Sequence, residues 1–326
     1  MNLIRRPRRN RQSAAIRDLV QETRLEVTDF IFPLFIIEGE KTKTEVESMP
    51  GIYRRSLDLL LDEIQECVDL GINAFDLFPN LPESKKDKYA TESTNPDGLY
   101  LRAIGEIKNR FPDVCLMTDV AMDPYSSDGH DGFVENGKIL NDPTLEILGN
   151  MAVAQAKAGA DMVGPSDMMD GRVGYIRNTL DSQGFTNVAI MSYTAKYASA
   201  FYGPFRDALE SAPRFGDKKT YQMNYANSRE ALVEAELDYA EGADILMVKP
   251  ALAYLDVIKL LKDNFDLPIA AYNVSGEYAM IKAASRNGWI DGERAMLESL
   301  TAIKRAGAKI ILTYFAKEVA QLKANA

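Results

Sequence analysis

The sequence predicts an α/β fold, a (β/α)8 TIM barrel with an N-terminal arm, and three observations carry that expectation. Eight short runs rich in Ile, Val, Leu and Phe alternate with longer stretches whose apolar residues recur every three or four positions. Glycine punctuates the passage from helix to strand in Ala158-Gly159-Ala160-Asp161, Glu241-Gly242-Ala243-Asp244 and Arg305-Ala306-Gly307-Ala308, a weak internal repeat. Gly is expected there, because helices commonly end in a left-handed residue. No dinucleotide-binding fingerprint accompanies the alternation, which favours a closed barrel over the alternative, an open doubly wound sheet.

Taken in order, the runs are Phe30 to Ile37, Asn73 to Phe78, Val114 to Asp119, Asp161 to Pro165, Val188 to Tyr193, Ile245 to Lys249, Ile269 to Val274 and Lys309 to Phe315. Their continuous apolar character, without strict alternation, is that of parallel strands buried on both faces. Between them Leu57 to Leu70, Pro143 to Ala158, Ser228 to Ala240 and Asp291 to Ala306 have helical spacing. Ahead of the first run Arg5, Arg6, Arg8, Arg9 and Arg11 cluster around Pro7, which reads as an extended arm within residues 1–25, outside any core. Residues 26–326 form the single barrel domain, and its longest connection carries a lid over about 197–222.

Composition narrows the function classes. The 326 residues, 46% of them hydrophobic, can build a sizeable core, and 38 Lys plus Arg against 48 Asp plus Glu leave a net charge of −10. An acidic chain repels a phosphate backbone, so no nucleic acid is expected as partner; the arm is better suited to an acidic neighbouring subunit. Cys67 and Cys115 have neither disulfide-framework nor zinc-ligand spacing. No run approaches the roughly 18 apolar residues of a membrane span, and Met1 to Arg11 has no apolar signal core, so the expected location is cytoplasmic with no membrane partner.

Catalytic groups of a barrel project from the C-terminal ends of its strands. Those ends carry Asp119, then Ser166 and Asp167, Lys196, Lys249, Ser275 and Tyr314. Lysine at the end of an apolar strand is rare unless it is used, and Lys196 falls on the neighbouring strand. Burial and mutual repulsion would each lower a lysine pKa and leave an amine able to attack a ketone. The opposing reading is one lysine salt-bridged and the other solvated. Asp119, Asp123 and Asp131 crowd one strand-end loop that also holds His130, the sole histidine. Oxygen ligands suit a hard cation such as Mg²⁺, while Asp, Gly and Pro also serve turns; His130 reads as a ligand, an acid/base group or a hydrogen-bonded loop residue. In the lid, Arg206, Arg214, Lys218 and Lys219 stand among Tyr197, Phe201, Tyr202, Phe205 and Phe215, which suits a small carboxylate substrate or, more simply, a solvated loop.

The residues then resemble those of the porphobilinogen synthase (5-aminolevulinate dehydratase) family over essentially the whole chain. The resemblance rests on Pro33-Leu34-Phe35, Ser48 to Gly51, Thr118 to Tyr125, Gly129 to Gly132, Pro165 to Arg172, Ser192 to Arg206, Met247 to Pro250 and Tyr272 to Tyr278. It implies a lyase that condenses two molecules of 5-aminolevulinate into porphobilinogen with loss of two waters. Lys249 would bind the first substrate and Lys196 the second as Schiff bases. Ser275 and Tyr314, beside Tyr272 and Phe201, would hold the first substrate, and Arg206, Lys218 and Gln222 the carboxylate of the second. Zinc-dependent members carry cysteines where this chain has Ala121, Asp123 and Asp131, so a zinc thiolate site is impossible here and the aspartate-type subclass is implied. That subclass carries an activating, allosteric Mg²⁺ whose principal ligand matches Glu234, with Asp167 supporting it through water; no organic cofactor is implied. The arm would wrap a neighbouring barrel, building homo-octamers from dimers. Another Schiff-base barrel of the class I aldolase type and a non-catalytic barrel are the rivals; two lysines and no Gly-rich phosphate loop weigh against the first.

Overall fold

The computed structural model describes residues 3–209 and 213–325; the arm's first two residues, residues 210–212 of the lid and residue 326 lie outside the described residues. The expected barrel is there. Among the described residues its strands are β1 (Phe30–Ile36), β2 (Ala74–Pro79), β3 (Cys115–Val120), β4 (Met162–Pro165), β5 (Ala189–Lys196), β6 (Ile245–Lys249), β7 (Ile269–Asn273) and β8 (Ile310–Thr313). Each pairs in parallel with its neighbour, and β8 returns to β1 through Phe30 opposite Ile311 and Ile31 opposite Leu312, so the sheet closes. The starts and ends fall within a few residues of the apolar runs. The largest departure is β5, which runs on through Lys196 and makes that lysine a strand residue, with no break at Tyr193.

The barrel helices are α1 (Leu57–Asp69), α2 (Leu99–Arg110), α3 (Asn141–Ala158), α4 (Arg172–Ser182), α5 (Glu230–Ala240), α6 (Leu255–Asn264), α7 (Gly292–Ala306) and α8 (Ala316–Ala324). Each turns an apolar stripe to the sheet: α1 buries Leu60, Ile64 and Cys67 at helical spacing. Gly159, Gly242 and Gly307 leave their helices at φ 113°, 98° and 127°, the left-handed turn that the repeat implies. None of the helices among the described residues is long and apolar enough to cross a membrane.

Three additions were not foreseen. The strands Lys43–Glu45 and Tyr53–Arg55 form an antiparallel pair that extends the rim beside β1. A second hairpin joins Phe133–Glu135 to Lys138–Leu140 through Asn136 and Gly137, both at positive φ, a turn whose twist matches the flanking strands. A further helix, Ser275–Arg286, starts directly above β7. The arm is not extended: it holds a 3₁₀ turn at Pro7–Arg11 and a helix at Ala14–Leu19 that Ser13 caps by accepting the Ile16 N–H. Neither segment contains a buried residue, and Ile4 and Leu19 are 87% and 83% exposed.

Candidate active site

The strand ends deliver a polar cluster into the barrel mouth. In the β5–β6 register Lys196 lies directly opposite Lys249, and both are almost wholly buried. Their surroundings differ. The Lys249 ammonium lies over four aromatic rings, Tyr272 at 4.5 Å, Tyr193 at 4.9 Å, Phe205 at 5.0 Å and Tyr202 at 5.4 Å from the ring centroids. Among the described residues it makes no hydrogen bond or ion pair. Burial, reinforced by Lys196, brings Lys249 down to about 7. Lys196 instead donates to the Ser166 carbonyl and lies 3.6 Å from Asp131.

The aspartate loop surrounds this pair. Lys218 reaches from the lid to Asp131 at 2.8 Å and to Asp123 at 3.1 Å. Burial alone would raise the Asp131 carboxyl, but the Lys196 and Lys218 ammonium groups outweigh it and hold it below its usual range. Burial and the neighbouring Asp131 raise Asp123, and burial with Asp123 pushes Asp119 up to about 7. The loop therefore contains one firmly ionised carboxylate and one carboxyl poised near neutrality, a division suited to moving protons.

A narrow cleft of about 30 Å³ joins Lys196 and Lys249 to Asp123, Tyr202, Arg206, Lys218 and Gln222. Gln222 is buried and its Oε1 has no hydrogen-bond partner, an unmet acceptor facing this group. Arg206 is half-buried and makes no ion pair among the described residues. On the other side, the Tyr314 and Tyr272 hydroxyls meet at 3.0 Å. Ser275 accepts the Phe205 N–H at 3.0 Å and donates to the Phe201 carbonyl at 3.4 Å. The lid backbone comes so close here that a Cβ on Gly276 would stand 2.5 Å from the Phe201 oxygen, so only glycine allows this seat. A larger cleft of about 700 Å³ between α2 and α3, near Tyr89 and Lys157, lacks such a cluster of titratable side chains.

Glu234 and Asp167 stand apart from the lysines, around Arg172. This guanidinium is buried 3.5 Å from Asp238 and 3.7 Å from Asp167. Asp167 Oδ2 is a buried acceptor without a hydrogen bond, and burial pushes Asp167 up to about 6. Burial likewise pushes Glu234, which faces Arg172, up to about 7. Among the described residues no group of three or more His, Cys, Asp or Glu side chains is arranged to hold a metal ion.

The sequence reading missed Asp76, a carboxyl in the middle of β2, fully buried and accepting a hydrogen bond from Tyr193 at 3.3 Å. Burial, with Asp119, raises it well above the carboxylate range. A charged residue inside the apolar run Asn73 to Phe78 is the same signal that singled out Lys249. Tyr202 and Phe205 were read only as lid aromatics among cations, and Tyr193 only as a strand end; that all three wall the Lys249 amine was not foreseen.

Fold and site together define a (β/α)8-barrel enzyme with a lysine-centred mouth. A profile of the family described as delta-aminolevulinic acid dehydratase matches residues 4–322, and the chain belongs to that family. It is 59% identical over 318 residues to the chloroplastic delta-aminolevulinic acid dehydratase of Physcomitrium patens, covering 97% of this chain and 73% of the relative. The delta-aminolevulinic acid dehydratase of Chlamydia pneumoniae is 54% identical over 322 residues, 99% of this chain and 97% of the relative. Among solved structures, that of the Toxoplasma gondii delta-aminolevulinic acid dehydratase (porphobilinogen synthase) with the reaction product porphobilinogen superposes with a TM-score of 0.96 at 53% identity, covering 98% of this chain and 92% of that one.

Proposed function

We propose that this enzyme condenses two molecules of 5-aminolevulinate into porphobilinogen with loss of two waters, in tetrapyrrole synthesis, and that Lys249 and Lys196 are its covalent centres. The observation that carries the residue assignment is the facing pair itself: two buried amines in register, of which Lys249 sits near 7 and is free of hydrogen bonds among the described residues. The neutral Lys249 amine attacks the ketone carbon of the first substrate; the C–N bond forms as the carbonyl π bond opens, and loss of the hydroxyl as water leaves an iminium. The ring faces around Lys249 favour that weakly hydrated cation. Lys196 takes the second substrate in the same way.

Asp119, near 7, accepts and returns protons during these steps, while Asp123 and Asp131 complete the loop. Ser275 and Tyr314, next to Tyr272 and Phe201, hold the first carboxylate; for Ser275 this means exchanging its 3.4 Å bond to the Phe201 carbonyl for the substrate. Arg206 and Gln222 hold the second carboxylate, with Lys218 shared between it and the two aspartates. Both anchors convert a two-body encounter into a fixed geometry. Borohydride reduction with 5-aminolevulinate, followed by peptide mapping, should label Lys249 and Lys196; label on neither would refute the covalent assignment.

Metal dependence is assigned by charge. At the aspartate loop the ammonium groups of Lys196 and Lys218 already stand against Asp123 and Asp131, so these residues do not fit a divalent ion. Glu234 does fit Mg²⁺, which keeps several waters and needs only one or two carboxylates; Asp167 Oδ2, ion-paired with Arg172 but making no hydrogen bond, suits support through water. When bound there, Mg²⁺ would supply positive charge beside the Arg172 carboxylates, as an activator of the aspartate-type subclass. Glu234→Ala should abolish stimulation by added Mg²⁺; undiminished stimulation would overturn the assignment.

The arm, residues 1–25, is assigned to a neighbouring barrel in an octamer, because its apolar Ile4 and Leu19 find no cover on their own chain among the described residues. Residues 26–326 then form the catalytic barrel with its lid at about 197–222. Deleting residues 1–11 should yield smaller, poorly active assemblies by sedimentation; an intact octamer would exclude this role. A cytoplasmic location accords with Cys67 and Cys115 as free thiols and is checked by cell fractionation.

A further inference from the structure

The single histidine is completely buried and joins two parts of the site that are distant in sequence. His130 Nδ1 lies 3.1 Å from the Tyr221 hydroxyl and Nε2 lies 3.0 Å from the Phe215 carbonyl oxygen. Its ring also packs on Phe215, with centroids 4.7 Å apart. Phe215 and Tyr221 belong to the returning half of the lid, whereas His130 belongs to the aspartate loop. One histidine tautomer accounts for every bond. A carbonyl only accepts, so Nε2 carries the proton, and the neutral imidazole has Nδ1 left as an acceptor. The Asp131 N–H donates to the Tyr221 oxygen at 3.3 Å, and in this tautomer the Tyr221 O–H donates to Nδ1. A closed relay results: Asp131 N–H to Tyr221, Tyr221 O–H to His130, His130 Nε2–H to Phe215.

The residues between those two anchor points include Lys218, which bonds Asp131 and Asp123, and Gln222 follows immediately after Tyr221. The Gln222 N–H donates to the Lys218 carbonyl at 2.9 Å, so the turn moves as one piece. We propose that His130 is a positioning residue for the second-substrate side: it pins the turn from Phe215 to Tyr221 onto the aspartate loop and thereby sets where Lys218 and Gln222 meet the second carboxylate. The inference rests on the covalent reading above and adds to it a residue that touches neither lysine. Nothing in it requires His130 to exchange protons with substrate. The first-substrate side, built from Lys249, Ser275 and Tyr314, lies outside the relay.

The test separates the two sides. His130→Asn keeps an acceptor near the Nδ1 position and loses the reach to Phe215; Tyr221→Phe removes the hydroxyl alone. Each should raise KM for 5-aminolevulinate about three- to tenfold, the effect of one or two lost hydrogen bonds, while single-turnover borohydride trapping at Lys249 is unchanged. The double variant should be no worse than the weaker single one, because both break one relay. Unchanged KM, additive losses, or a parallel fall in Lys249 trapping would each overturn the assignment. If His130→Asn fails to fold, Tyr221→Phe decides by the same KM and trapping criteria. Failure of the unmodified protein to trap substrate on either lysine would strike the covalent reading and this inference with it, whereas normal trapping with unaltered KM strikes His130 only.

Discussion

Lys249 and Lys196 are the same residue type on adjacent strands, equally buried and in register, yet their neighbours are opposite in kind. Lys249 faces rings, which offer a cation some attraction but no hydrogen bond, and it is held near 7. Lys196 faces the Ser166 carbonyl and the Asp131 carboxylate, which compensate its charge directly. An amine in an apolar enclosure is released from its proton; one facing oxygen atoms keeps a partner for it. The pair is thus unequal in its surroundings: Lys249, between rings and a neighbouring lysine, is freed of its proton, while Lys196 lies against a carbonyl and a carboxylate.

The sharpest break of that comparison is Lys249→Met, which should lower turnover by about 10⁴-fold or more, as removal of a covalent nucleophile does, and leave Lys196 the sole borohydride-labelled site by peptide mapping. Next is Asp131→Asn. It removes the carboxylate that Lys196 and Lys218 share, leaving Lys218 with Asp123 alone, and should cost roughly 3 kcal/mol in urea denaturation, since breaking a buried ion pair is expensive.

The third test concerns sign. Lys249 is depressed by burial first and by Lys196 second, so below pH about 7 it holds its proton and its trapping should fall about tenfold per pH unit. Lys196→Met removes the repulsion, and the midpoint of trapping at Lys249 should move upward; a midpoint that stays or drops would show that Lys196 does not tune its neighbour. The smallest effect is expected from Tyr314→Phe, which deletes the 3.0 Å bond to Tyr272 and should raise KM about two- to tenfold with little change in the trapping midpoint.

Much of this was legible in the chain. The β6 run Ile245 to Lys249 announces a buried lysine because its apolar residues admit no solvated position, and the glycines before the strands mark helix exits. The hairpin at Asn136-Gly137 was equally legible and was overlooked, although Asn-Gly is a strong local turn signal. Asp76 was overlooked for a different reason. One carboxyl in an apolar run gains meaning only when the strands close and Tyr193 and Lys249 come to surround it. Lys218 shows the limit most plainly: the sequence marks it as a lid cation for a substrate carboxylate, yet the structure seats it on Asp123 and Asp131.

The sequence by itself determined the βα alternation, the strand ends and the chemical types gathered at them, since apolar periodicity and glycine placement are local properties of the chain. The tertiary structure decided which of those groups face one another: that Lys196 continues β5 opposite Lys249, that aromatic rings enclose one lysine and carboxylates the other, and that His130 ties the lid to the aspartate loop. Those contacts join residues tens of positions apart. They depend on register, barrel closure and the packing of one long loop, and a carboxyl or an amine takes its proton affinity from whatever that packing places beside it.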